Sequence, residues 1–242
     1  MTLTPQATAA TTAIQGNMNA YWSARAADYD ANQRRPERLA RDVAAWSEIW
    51  GAALPTAPAD VLDLGTGSGF VAFVHAGLGH RVVATDLAEG MIEVARSHAG
   101  QVRNAPDFRF GDAVDPAFAP GSFDAITNRY VMWTLREPEV ALANWHRLLR
   151  PGGVLAVVDG MWFPQGLDAN PTPGFANSYD ERVRAALPLA ERSIETTAEV
   201  IRAAGFRDVA VTPLTSILEL DQEYGVAPGH DLTVQYLVRG IA

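Results

Sequence analysis

Val61-Leu62-Asp63-Leu64-Gly65-Thr66-Gly67-Ser68-Gly69 carries a short apolar run into three glycines at alternate positions, and Phe70-Val71-Ala72-Phe73-Val74 follows with no turn residue before Gly77. The pattern predicts a buried strand, a tight loop and a buried helix. Glycine has no Cβ, so such a loop takes left-handed dihedrals and lets a ligand lie on its backbone N–H groups. The helix N-terminus behind it favours negative charge. The loop therefore suits a small anionic group.

Spacing chooses between ligands. A pyrophosphate loop needs Gly-x-Gly-x-x-Gly, and counting from Gly65 puts Phe70 where the third glycine belongs. Asp63, two residues before the first glycine, would repel a pyrophosphate and suits an ammonium, directly or through water. A ligand with both a carboxylate and an ammonium is an amino acid, and the amino acid that recurs as a cofactor is the methionyl part of S-adenosylmethionine. A nicotinamide-dependent oxidoreductase is left as the weaker alternative.

Val-Leu-Asp-Leu-Gly-Thr-Gly-Ser-Gly resembles motif I of the class I S-adenosylmethionine-dependent methyltransferases, and further motifs follow in that family's order from Tyr21 to Arg207. The resemblance implies a Rossmann-like α/β fold: a doubly wound, mostly parallel seven-stranded sheet with an antiparallel last strand, plus an N-terminal helical cap. It also implies S-adenosylmethionine as cofactor and S-adenosylhomocysteine as product.

Composition fits one such domain. The 242 residues are 48% hydrophobic and 19% charged, ordinary for a globular chain with ample core. Cysteine is absent, which excludes disulfides, thiolate metal sites and a thiol nucleophile. No metal cluster is visible. The net charge of -9 and the lack of a lysine-rich block speak against nucleic acid, since a phosphate binder carries a basic stripe. Arg34, Arg35, Arg38 and Arg41 alternate with Glu37 and Asp42 and read as a solvated helix face. Neither a signal sequence nor an apolar run of spanning length is present, so the expectation is a cytoplasmic enzyme with no membrane partner. Oligomeric state stays open, a homodimer included.

Residues 1–17 have no periodic apolar pattern and are expected to be a disordered tail, residues 18–54 a helical cap, and residues 55–242 the catalytic domain with a lid insertion at about 160–195. Leu39, Val43, Trp46 and Trp50 recur at helical spacing after Pro36. Strands are expected at 81–85, 108–110, 122–127 and 154–158, with a closing antiparallel pair at 209–211 and 233–238. Thr196 has the form of a helix N-cap, with Glu199 three residues on.

Candidate site residues sit mostly at strand ends, where open α/β sheets collect ligands. Gly65, Thr66, Gly67 and Gly69 form the loop, with Asp63 beneath it. Asp86 closes the second strand about 20 residues on, the place of a ribose-binding carboxylate. Leu87 and Met91 form an apolar wall for adenine. Through the resemblance, Asp112 supplies a carboxylate to the adenine amino group, Ala113 a backbone N–H to the ring, and Asn128 and Arg129 face the methionine end. The segment from Tyr21 to Asp30 is similar to one that closes over the cofactor in small-molecule methyltransferases, with Arg25 a candidate for the methionyl carboxylate. Trp133, Trp162, Phe163 and Tyr21 are candidates for substrate contact. Tyr21, Tyr29 and Asp159 are candidate bases. The expected reaction is in-line methyl transfer to an O, N or C atom of a small-molecule acceptor, most naturally a secondary metabolite. An S-adenosylmethionine-binding protein with other chemistry, or none, is the alternative.

Overall fold

The computed structural model describes residues 5–100, 102, 104–170, 174–227 and 231–242, with side chains from Ala13 onward. Seven strands, β1 (Asp60–Leu64), β2 (Arg81–Asp86), β3 (Asp107–Phe110), β4 (Phe123–Arg129), β5 (Leu149–Gly160), β6 (Arg207–Pro213) and β7 (Gln235–Ile241), form one sheet in the order β3-β2-β1-β4-β5-β7-β6. The pairs among β1 to β5 are parallel, and β7 runs antiparallel to both β5 and β6. This is the expected doubly wound sheet.

Period two along the central strands separates its faces. Leu62, Leu64, Ile126, Leu155, Val157 and Val238 point one way, onto α5 (Pro138–Leu148) and α8 (Ile194–Ala203). Val61, Ala125, Val154, Ala156, Val158 and Leu237 point the other, onto α2 (Leu39–Ala53), α3 (Phe70–Gly77) and α9 (Thr215–Tyr224). Trp145 fills the first core, and Trp46 and Trp50 the second, all at most 2% exposed. Pro138 at the first turn of α5 costs no helix hydrogen bond.

The expected disordered tail is instead helix from Pro5, the start of α1 (Pro5–Gln33). Its alanine-rich sequence has high helix propensity, and the fold supplies a surface that periodicity alone did not reveal. Residues 1–4 lie outside the described residues. Helix α1 lies along α4 (Glu89–Ala99), where a Cβ on Gly90 would sit 2.5 Å from the Ser23 carbonyl oxygen. Only glycine allows that approach. On its other flank α1 gives Met18 and Tyr21 to a cluster with Trp133, Phe163, Leu167 and, from α6 (Phe175–Ser178) and α7 (Glu181–Ala185), Phe175 and Val183. Tyr179 completes it, stacked on Phe175 at 4.3 Å.

Smaller corrections have local causes. Strand β5 begins at Leu149, which pairs with Phe123, and Arg150 to Gly153 form a bulge before Val154 resumes the register opposite Ala125. The cap of α8 is Ser193, whose hydroxyl accepts from Thr196 N–H, one turn before the expected Thr196. Val43 is 41% exposed and leaves the buried face of α2 to the two tryptophans. Helix α9 escaped the sequence reading. Pro171 and Pro173 lie outside the described residues. Among the described residues, no helix is long and apolar enough to cross a membrane.

Candidate functional site

A cavity of about 250 Å³, several times the ~30 Å³ share of a water molecule, opens at the C-terminal ends of β1, β2 and β4. The glycine loop forms its floor, and its three glycines serve different ends. At Gly65, with φ of 63°, a Cβ would collide with the Val131 side chain. At Gly69, with φ of 86°, it would lie 2.8 Å from the Phe108 ring. Gly67, with φ of 56°, has only Tyr29 at 3.7 Å and Met91 Sδ at 3.9 Å before it. Gly65 and Gly67 line the cavity, whereas Gly69 is a packing glycine behind it.

The loop is tied to β2. Thr66 N–H donates to the Thr85 carbonyl at 2.9 Å, and Gly67 N–H to Asp86 Oδ2 at 2.8 Å. These two N–H groups are thus committed, so the expected backbone cradle does not extend to them. Burial raises the Asp86 carboxyl above its ordinary value, opposed by the N–H groups of Ala88, Gly67 and Leu87. Its oxygens retain lone pairs on the cavity side, beside Leu87, Ala88 and Met91. Asp112 accepts Val114 N–H through Oδ1 at 2.8 Å and lines the cavity with Ala113.

Beneath the loop lies a set of buried polar atoms without protein partners: Asp63 Oδ2, Thr66 Oγ1, Ser68 Oγ, Thr85 Oγ1 and both side-chain polar atoms of Asn128. Strand register gathers them, since Leu64 pairs with Thr85 and Asp63 with Thr127 beside Asn128. Each such buried group costs about 1 to 3 kcal/mol. Asp63 is 1% exposed, and its Oδ1 accepts from Thr127 Oγ1 at 2.8 Å, itself 3.1 Å from His75 Nε2. Burial pushes the Asp63 carboxyl up to about 6, against the neighbouring hydroxyls of Thr66 and Thr127. A polar set around an acidic group fits an ammonium and its carboxylate partner, so these residues suit a methionyl end.

Arg129 at the end of β4 lines the cavity, donates from Nη2 to Gln33 Oε1 at 2.6 Å, and lies over the rings of Trp46, Phe70 and Tyr130 at 5.0, 5.2 and 4.7 Å. Tyr29 and Trp22 of α1 cross edge to face at 6.0 Å and both line it. Trp133, Trp162 and Phe163 line it as an aromatic wall.

Seven sequence candidates do not line it: Tyr21, Arg25, Asp159, Asp63, Thr66, Gly69 and Asn128. Tyr21 is 8% exposed inside the aromatic cluster, edge-on to Trp22, Phe175 and Tyr179, and burial raises its hydroxyl pKa. Arg25 lies over that ring at 5.5 Å and does not reach the glycine loop's cavity face. Asp159 is 2% exposed and accepts the Trp162 indole N–H, Gly160 N–H at 2.9 Å and Trp133 N–H at 3.3 Å. It holds two wall tryptophans in place and does not itself line the cavity. Burial pushes it up to about 6, against those donors. Asp63, Thr66 and Asn128 lie behind the wall in contact with the loop's support.

Sequence reasoning missed a polar end of the same cavity. Tyr130 takes φ of 65° and donates from its hydroxyl to Gln235 Oε1 at 2.6 Å. Gln235 Nε2 donates to Asp221 Oδ2 at 3.1 Å, and Arg38 bridges Asp221 at 2.7 Å and Asp42 at 2.8 Å. All five line the cavity. A bulky residue at positive φ is uncommon and strained, and φ is not written in a tyrosine.

The family model described as a methyltransferase domain matches residues 62–157. The chain is 31% identical over 186 residues to a demethylmenaquinone methyltransferase of Clavibacter sepedonicus, covering 68% of this chain and 72% of that one. It is 36% identical over 106 residues to a ubiquinone biosynthesis O-methyltransferase of Mesorhizobium japonicum, covering 44% and 43%, less than two thirds of that relative's length. An S-adenosylmethionine-dependent methyltransferase structure from Aquifex aeolicus shares the fold with a TM-score of 0.61, 18% identity and coverage of 90% and 97%.

Proposed function

Given that this chain belongs to the class I S-adenosylmethionine-dependent methyltransferases, we propose that it methylates a small aromatic acceptor held against the tryptophan wall. One observation carries the reading: a single cavity joins the glycine loop, Asp86 and Asp112 to Tyr130, Trp133, Trp162 and Phe163. Relatives named for demethylmenaquinone and ubiquinone biosynthesis support a ring-shaped acceptor. A role in secondary metabolism is compatible with the same wall.

Asp86 would hold the ribose hydroxyls and Asp112 with Ala113 the adenine, while Gly65 and Gly67, backed by Asp63 and its neighbours behind the wall, would face the methionyl end. When bound, S-adenosylmethionine supplies a sulfonium methyl carbon that is already electrophilic. The chain's task is positioning. Trp162 and Trp133, pinned by Asp159, flatten an acceptor ring against the cavity wall, and orientation of that kind supplies about 7 to 11 kcal/mol of barrier lowering. Tyr29 and Trp22 exclude water from above. Of the three candidate bases Tyr21, Tyr29 and Asp159, only Tyr29 lines the cavity. Residues 18–54 act as the cap and residues 160–195 as the lid over the catalytic domain.

The test is incubation with methyl-labelled S-adenosylmethionine and a panel of hydroxylated benzenes and quinols, followed by mass spectrometry. Labelled product and stoichiometric S-adenosylhomocysteine are expected. Tight S-adenosylhomocysteine binding without turnover on any ring acceptor would favour a binding protein instead.

A further inference from the structure

Tyr130 stands at the end of a hydrogen-bonded chain whose direction is set from its far end. The Arg38 guanidinium has only donors, and its Nη1 lies 2.7 Å from Asp221 Oδ1. The second oxygen of that carboxylate, an acceptor, draws the Gln235 amino group to 3.1 Å. Gln235 must then face Tyr130 with its carbonyl, and the phenol donates to it at 2.6 Å. The one phenolic proton is therefore turned away from any ligand. Tyr130 and Gln235 both line the cavity, and the Tyr130 ring meets that of Trp162 at 4.7 Å.

We infer that Tyr130 is a specificity-determining residue that selects acceptors carrying a free aromatic hydroxyl, because its phenol oxygen offers a ligand lone pairs only. A ring presenting an ether oxygen there sets lone pair against lone pair. A ring with a hydroxyl donates to Tyr130 and is held by Trp162. Sites built to hydrogen-bond a hydroxyl discriminate strongly against analogues lacking it. The inference rests on the methyltransferase reading and deepens it by naming the acceptor group.

Phenol and anisole, titrated by ligand-observed NMR into the full chain saturated with S-adenosylhomocysteine, test it. Wild type is expected to prefer phenol by about tenfold, and Tyr130→Phe, which removes one oxygen and leaves the ring, to bind the two within about twofold. Asp221→Asn is expected to reverse the polarity. Arg38 claims the new amide's carbonyl, so its amino group faces Gln235, the Gln235 amide turns over, and the phenolic proton is released to the cavity. Anisole should then bind more tightly than it does to wild type. An undiminished phenol preference in Tyr130→Phe overturns the inference while leaving the methyltransferase reading intact. Failure of wild type to bind S-adenosylhomocysteine overturns that reading, and the inference with it. If Asp221→Asn does not fold, Tyr130→Phe decides alone.

Discussion

Asp86 Oδ2 accepts the backbone N–H of Gly67 at 2.8 Å while its Oδ1 accepts that of Ala88, also at 2.8 Å. One carboxylate thus ties the end of β2 both to the loop grown from β1 and to the start of α4. If its remaining lone pairs hold the ribose, Asp86→Ala removes charged hydrogen bonds and loosens the loop together. S-adenosylhomocysteine should bind about ten- to a hundredfold more weakly by calorimetry. Unchanged affinity would refute the role.

The loop glycines separate stability from binding. All three take left-handed φ, so alanine strains each by about 1 to 2 kcal/mol. Gly69→Ala adds a clash, since its Cβ would meet Phe108 ring carbons at 2.8 and 2.9 Å and Ala95 at 3.2 Å. Thermal unfolding should show a larger loss for Gly69→Ala than for Gly67→Ala, whose Cβ meets nothing nearer than 3.7 Å. Gly67→Ala projects into the cavity between Tyr29 and Met91, and should cost more in S-adenosylhomocysteine affinity than in melting temperature. The reverse ranking would mean the loop has been misread.

Stability should carry the signature of Asp159. Its carboxyl, ordinarily near 3.8, is pushed up to about 6 by burial, despite donors from Trp162, Gly160 and Trp133. Between those values the folded chain binds more protons than the unfolded one. The contribution is therefore full below about pH 4 and lost as pH rises through about 6, on the order of 3 kcal/mol. Asp159→Asn should shrink the fall in urea-derived stability between pH 4 and 7, while Asp63, also near 6, still contributes. Relative to wild type, a loss of about 1 to 3 kcal/mol is expected at pH 4, because an amide cannot accept on both sides, and it narrows as pH rises to 7.

The strand ends that frame the cavity were legible because they are local. Gly65, Asp86 and Asp112 each sit where a strand stops, and strand ends can be read from apolar runs and the residues that break them. Tyr21, Arg25 and Asp159 were read correctly as to element but not as to direction. Which way a helix face turns is decided by partners such as Phe175 and Tyr179, more than 150 residues away in the chain. Arg38 looked like one of several surface arginines. Its burial at 7% follows from the pairing of β7 with β5 and the packing of α9 on α2, which bring Gln235 and Asp221 to it. No window of sequence contains that meeting.

Arg38 is the cation between two carboxylates, Asp42 and Asp221, with exposures of 7, 8 and 7%. Its Nη1 also donates to the Gly225 carbonyl at 3.2 Å. Burial works against its charge, but the hydrogen bond to Asp221 and the proximity of Asp42 outweigh that and raise its pKa. Arg38→Met leaves two buried carboxylates facing each other without the guanidinium that bridges them, and breaking such a group costs about 3 to 5 kcal/mol. Replacing all three, as Arg38→Met with Asp42→Leu and Asp221→Leu, removes the desolvation cost along with the attraction and should recover most of that loss. Urea unfolding of the two variants separates these effects. If the single variant is nearly neutral, the pairs are solvent-screened and the chain that orients Gln235 is not rigid. If the triple variant is stable yet no longer distinguishes phenol from anisole, the buried ions serve recognition rather than folding, since Gln235 then has no carboxylate to fix which end of its amide Tyr130 meets.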